Sequence, residues 1–185
     1  MNKFLALMLL AAVPLVGKDH HDQHPLDYGF FYVQTAQTIL GPTITPSFSG
    51  VVWNVNQEVH SRDVFINPNA TDEIIIAEPG VYEATFTTFG TPSVGTNFRF
   101  ALFLNNTIIP GSVYAANAPV GDVTQEIVGH VIFTVTTPNS VLELVNDSAV
   151  GTDVTLNNIA GETGAADNTT ASLLIEQLRD NAHRH

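Results

Sequence analysis

Residues 98–104, FRFALFL, repeat with a period of two. Phe98, Phe100, Leu102 and Leu104 fall on one face, and Arg99, Ala101 and Phe103 on the other. That period belongs to a pleated strand, whose successive side chains leave opposite sides of the backbone. Asn105-Asn106 follows, and Ile108-Ile109 begins a return, so a hairpin is expected here.

The pattern extends in both directions. Upstream, residues 81–89 (VYEATFTTF) place Tyr82, Ala84 and Phe86 on one face and Glu83, Thr85 and Thr87 on the other. Downstream, 127–137 (IVGHVIFTVTT) turn at Pro138-Asn139 into 141–145 (VLELV). Further strand-like runs stand at 28–34, 51–55, 64–66, 74–77, 154–156 and 171–178, punctuated by Gly, Pro and Asn. Residues 171–178 contain good helix formers, but a closing strand there removes an exposed sheet edge, and strand is the reading adopted. About ten short antiparallel strands between turn signals predict an all-β sandwich or jelly roll. No Gly-X-Y run or other internal repeat is present.

Composition narrows the function classes. In 185 residues there are 6 Lys+Arg against 18 Asp+Glu, a formal charge of −12. No Lys or Arg stands between Arg99 and Arg179. A nucleic-acid binder needs a basic footprint, so nucleic acid is excluded as a partner. With no cysteine, disulfides, Cys-ligated zinc and a Cys nucleophile are excluded as well.

The ends differ from the body. Lys3 precedes a 13-residue apolar run, 4–16, and then the polar KDHHDQH. The run falls short of the roughly 20 residues of a membrane-spanning helix and fits a secretory signal. The expected layout is a signal peptide at 1–17, a His/Asp-rich linker at 18–27, a domain at 28–178 and a polar tail at 179–185. Removal of the signal would give a secreted or surface-exposed mature form with no membrane span.

Five segments, in order, carry a family resemblance: residues 28–38 (YGFFYVQTAQT), 79–86 (PGVYEATF), 100–105 (FALFLN), 109–114 (IPGSVY) and 171–175 (ASLLI). Together they resemble the C-terminal domain of BclA-type collagen-like spore-surface (exosporium) glycoproteins, across about residues 28–178. The resemblance implies a jelly roll of the complement and tumour-necrosis-factor (TNF) superfamily, assembled as a homotrimer. It implies a non-enzymatic, surface-exposed structural head at a spore or cell surface, with a surface-layer or spore-coat protein as a further partner.

Alternation supports assembly independently. The Phe98–Leu104 face suffices for one core, while Phe31, Val33, Phe103, Val131, Phe133 and Val135 ask for a second apolar environment. A partner subunit would supply it. Phe31, Tyr82, Phe103, Phe133 and Ile175 are therefore the expected trimer-interface residues. The alternative is that they join the same core.

Catalytic patterns are thin. There is no Gly-x-Ser-x-Gly elbow, phosphate loop or HExxH helix. Ser112, His130 and Asp122 could be imagined as a triad, but His130 lies in an apolar strand and reads better as a core or interface histidine. Asp72, Glu73 and Glu83 are candidate paired acids by sign only. Asp122, Asp147, Asp153 and Asp167 could offer oxygen to calcium, but their spacing matches no EF-hand, and solvated loop acids are the better reading. Asn69, Asn105, Asn146 and Asn168 each begin an Asn-x-Ser/Thr triplet, a composition that β loops also produce by chance. Five of the seven histidines, His20, His21, His24, His183 and His185, sit in the two polar ends. If the first and last strands pair, these imidazoles share one end of the domain and could bind a divalent metal weakly. No other cofactor is expected, and a secreted ligand- or metal-binding protein is the alternative function.

Overall fold

The computed structural model describes residues 27–43, 48–53, 59–60, 62–93, 97–118, 124–157 and 169–180. Among these, thirteen strands form and no helix does. They are β1 Tyr28–Val33, β2 Gln37–Ile39, β3 Val59–His60, β4 Val64–Ile66, β5 Ile74–Ile76, β6 Gly80–Pro92 and β7 Asn97–Leu104. Then come β8 Thr107–Ile108, β9 Tyr114–Asn117, β10 Gln125–Val135, β11 Ser140–Asn146, β12 Val154–Leu156 and β13 Ala171–Asp180.

Two antiparallel sheets result. The first runs β2-β12-β6-β13-β1-β3, with β10 on the other side of β6. The second runs β4-β5-β11-β7-β8, with β9 also on β7. The first and last strands pair, Tyr28 opposite Glu176 and Val33 opposite Ala171. Asp27 and Gln177 exchange hydrogen bonds at that end, Gln177 N donating to Asp27 O at 2.7 Å.

Alternation decides what the sandwich encloses. Tyr82, Ala84 and Phe86 of β6 and Leu173 and Ile175 of β13 point inward to meet Phe98, Phe100 and Leu102 of β7 and Leu142 and Leu144 of β11. Edge-to-face packing of Phe86 on Tyr114, 5.8 Å apart, ties the sheets together. The β7–β8 hairpin has a two-residue loop with Asn105 at φ 50° and Asn106 at φ 61°, the left-handed pair that matches strand twist. Asn105 is held by its own side chain, which donates to Ser140 Oγ at 3.1 Å and accepts from Val141 N at 2.9 Å.

The run at 51–55 was expected to be a strand. In its described part, 51–53, no regular strand forms, because the backbone divides between two partners. Val51 N donates to Leu144 O, and Trp53 N to Thr71 O. Val51 and Trp53 still enter the core, Trp53 against Phe31 at 6.3 Å, while Val52 is exposed.

Candidate functional site

Since the inner face of the first sheet is core, its outer face is defined by the other half of the same alternation. Three cross-strand rungs run over β1, β13, β6 and β10. One is Tyr32–Ser172–Thr87–Val128, the next Phe30–Leu174–Thr85–His130, and the third Tyr28–Glu176–Glu83–Ile132. Phe30, Val128 and Ile132 are 39%, 53% and 56% exposed. Tyr28 and Leu178 on the same sheet are exposed too. Large apolar groups at this density on an open sheet face are the usual mark of an interaction surface.

The apolar surface continues around the β10 edge. Ile132 and Phe133 there join Leu104, Ile108, Ile109 and Pro110 of the β7–β8 hairpin to line a groove of about 430 Å³. Tyr114 OH donates to His130 O on the same edge.

One polar group sits within the apolar face. His130 Nε2 lies 2.7 Å from Glu83 Oε1, with both side chains partly exposed. Glu83 also stands directly opposite Glu176 across the β6–β13 ladder. Like charges facing each other in this way are unfavourable.

Comparison with solved structures then decides the architecture. A crystal structure of murine APRIL at pH 5.0 superposes with a TM-score of 0.54 at 8% identity, covering 83% of this chain and 100% of that chain. Eiger TNF from S. frugiperda superposes with a TM-score of 0.53 at 10% identity, covering 88% and 98%. The fold is a TNF-like jelly roll. At such identities the likeness is one of fold. No family model and no curated protein matches the chain.

In this TNF-like jelly roll the five residues expected at the trimer interface are all buried within the chain itself. Phe31, Tyr82 and Ile175 are 0% exposed and Phe133 6%, all within the chain's own central core. They alternate inward from the first sheet and meet the second sheet's inner face, so one core takes both apolar sets. Phe103, also 6% exposed, does lie outside that core, on the outer face of the second sheet with Ala101 and Val145. Its cover is the chain's own Phe48, whose ring is 4.8 Å away. Period two had shown which residues share a face, but the face of the first sheet that stays open carries Phe30, Val128 and Ile132 instead.

The remaining candidates of the jelly roll separate in space. Ser112 is buried, and its hydroxyl is engaged by the backbone of Leu102. His130 is half exposed on the opposite sheet's outer face rather than in the core, paired with Glu83. Asp122 and Asp167 lie outside the described residues. Asp72 and Glu73 lie near Glu143 of the second sheet, far in topology from Glu83, and burial followed by the charges of Asp72 and Glu73 pushes the Glu143 carboxyl above its ordinary range. Asp147 pairs with Arg99 at 2.9 Å, and Asp153 accepts from Gly41 N. Asn146 is buried with its amide fully engaged, so its side chain is not free to take a glycan, while Asn105 is exposed with its amide held in its turn. Asn69 remains exposed, and Asn168 lies outside the described residues. Among the described residues no group of three or more His, Asp and Glu could hold a metal, and no helix is long and apolar enough to cross a membrane. His20, His21, His24, His183 and His185 all lie outside the described residues.

Proposed function

We propose that this chain is a secreted, non-enzymatic surface module that works as a homotrimer, in the manner of the BclA-type heads it resembles at a spore or cell surface. The observation that carries the reading is the exposed apolar outer face of the first sheet, centred on Phe30, Val128 and Ile132. A second copy of the chain would cover that face. Burial of one such side chain contributes about 1.5–3 kcal/mol, and the continuation of the surface around the β10 edge lets a face-to-edge contact close into a ring. The TNF-like fold supports the assembly. Ser112, held by Leu102 on the second sheet, and His130, paired with Glu83 on the first, do not meet, which supports a non-enzymatic role. A surface-layer or spore-coat protein would anchor the trimer. Sedimentation velocity over a dilution series tests the reading: a species of three chains at micromolar concentration supports it, and a monomer at every concentration defeats it.

A second reading has its own observation. The Asp27–Gln177 hydrogen bonds bring the two ends of the domain side by side, so the segments holding His20, His21, His24, His183 and His185 start from neighbouring points. Neutral imidazoles gathered there would bind zinc, copper or nickel weakly and release it as they protonate below about pH 6. Zinc titration of the full mature protein and of a form lacking residues 18–24 decides it. Equal affinity in both removes His20, His21 and His24 as ligands.

A further inference from the structure

The polar group inside the apolar face has a consequence for assembly, and it rests on the homotrimer reading above. Glu83 stands opposite Glu176 on one rung and next to Ile132 on the other side. Its oxygen is shared with His130, 2.7 Å away on the rung beside it. Tyr28 completes the Glu176 rung, Phe30 and Leu174 lie on the His130 rung, and Val128 and Ile132 flank His130 along β10. The other ionisable groups on these strands are Tyr32 on β1, Tyr82 of β6, which is buried in the core, Glu126 near the far end of β10, and Arg179 and Asp180, which stand opposite Val81 and Gly80 in the β6–β13 register. The described side chains of the face therefore hold three carboxylates and one imidazole.

In the open chain, water screens the two facing carboxylates. A second copy laid over Phe30, Val128 and Ile132 removes that water. Two carboxylates a rung apart then repel in a poorly screened site, and burial alone already favours the neutral acid. A proton taken up by the Glu83–Glu176 pair relieves the repulsion. A proton on His130 turns its contact with Glu83 into an ion pair enclosed by apolar neighbours. Burial disfavours a charged imidazole, but the Glu83 carboxylate in contact with it opposes that. With that contact kept, both routes have the same sign, and the assembled form binds more protons than the free chain.

We infer that assembly of this chain is linked to proton uptake by Glu83, Glu176 and His130, so that the trimer tightens as the medium becomes more acidic. The surface so described accepts a second copy of the chain most readily under mildly acidic conditions and releases it under alkaline ones.

Linkage makes the expectation quantitative. Uptake of about one proton per protomer shifts the concentration of half-dissociation of a trimer by about thirtyfold per pH unit, and fractional uptake by less. Between pH 8 and 6, at about 0.5 M salt to screen the overall negative charge, that concentration should fall at least about tenfold. Analytical ultracentrifugation of the full mature chain reads it directly. Glu83→Gln with Glu176→Gln should remove the tightening at acidic pH, since His130 then has no carboxylate to pair with, and hold the trimer tight at pH 8. His130→Gln, which keeps both carboxylates, should weaken the dependence and move it to lower pH. Asp63→Asn with Glu78→Gln removes the same charge from turns off the face and should leave the dependence intact. A trimer whose half-dissociation does not move with pH, or whose movement survives Glu83→Gln with Glu176→Gln, overturns this inference and leaves the assembly reading standing. A monomer at every pH overturns both.

Discussion

The hydroxyl of Ser112 binds both backbone groups of Leu102, accepting from its N–H at 3.1 Å and donating to its C=O at 3.0 Å. Both residues are fully buried. A side chain here does what a neighbouring strand would do, between the place where β8 leaves β7 and the place where β9 joins it. Ser112→Ala would leave Leu102 N without a partner, while Leu102 O keeps Ile109 N at 2.9 Å. The orphaned donor should cost about 1–3 kcal/mol, read as a lower urea midpoint with an unchanged slope.

Gly129 lies on β10 directly over the Phe86 ring, with Tyr114 beside it. A Cβ there would fall within the contact distance of both rings. Gly129→Ala should push Phe86 away from its edge-to-face contact with Tyr114 and cost about 1–3 kcal/mol of overpacking. Thermal unfolding measures the loss, and near-ultraviolet circular dichroism should report the displaced aromatic pair.

Asn146 is fully buried and ties three segments together. Its Nδ2 donates to Ile39 O at 3.0 Å and Thr152 O at 2.9 Å, and its Oδ1 accepts from Ser148 N at 3.1 Å. Asn146→Leu would strand those groups and should destabilise the chain by roughly 3 kcal/mol or more. In a host that attaches N-linked glycans, peptide mapping should find Asn146 unmodified in folded protein.

Glu143 sets a pH dependence of stability. Desolvation by burial, then the charges of Asp72 and Glu73, raise its folded pKa above the ordinary 4.5. The folded chain thus holds this proton at a pH where the unfolded chain has released it. Folding binds protons in that window, and the contribution of Glu143 to stability falls as pH rises from about 4.5 through the folded value. Glu143→Gln should raise the denaturation midpoint at pH 7 and make no difference below pH 4, where the carboxyl is protonated in both states. Equal midpoints at pH 7 would count against the buried charge.

The long alternating elements were legible in the sequence because burial on one face imposes period two. Residues 98–104, 81–89 and 127–137 lie within β7, β6 and β10 or run just past an end, and 154–156 is β12 as read. The Asn105-Asn106 hairpin was legible because few residues accept a left-handed pair. Short strands were not: Gln37–Ile39 and Tyr114–Asn117 carry little periodic signal and are ordered by their neighbours in the sheet. The residues expected to face outward were misread for a different reason. Alternation in β1 separates Phe30 from Phe31, yet both are aromatic, and nothing local says which of them looks into the sandwich. The register to β13 and the meeting with Trp53 settle it for Phe31. The Glu83–His130 pair joins residues on two strands whose register no short motif encodes.

The most direct test of the account is the mass of the mature chain in solution, by light scattering at micromolar concentration and about pH 6, beside that of Ile132→Asp. Ile132 is 56% exposed on the open face, so the substitution spares the core and puts a charge where a second copy would sit. The account predicts a wild-type mass three times that of the chain and a shift of Ile132→Asp toward one chain, with the circular dichroism of the two proteins alike. A wild-type protein that scatters as a single chain, or an Ile132→Asp protein that stays fully trimeric, would contradict it.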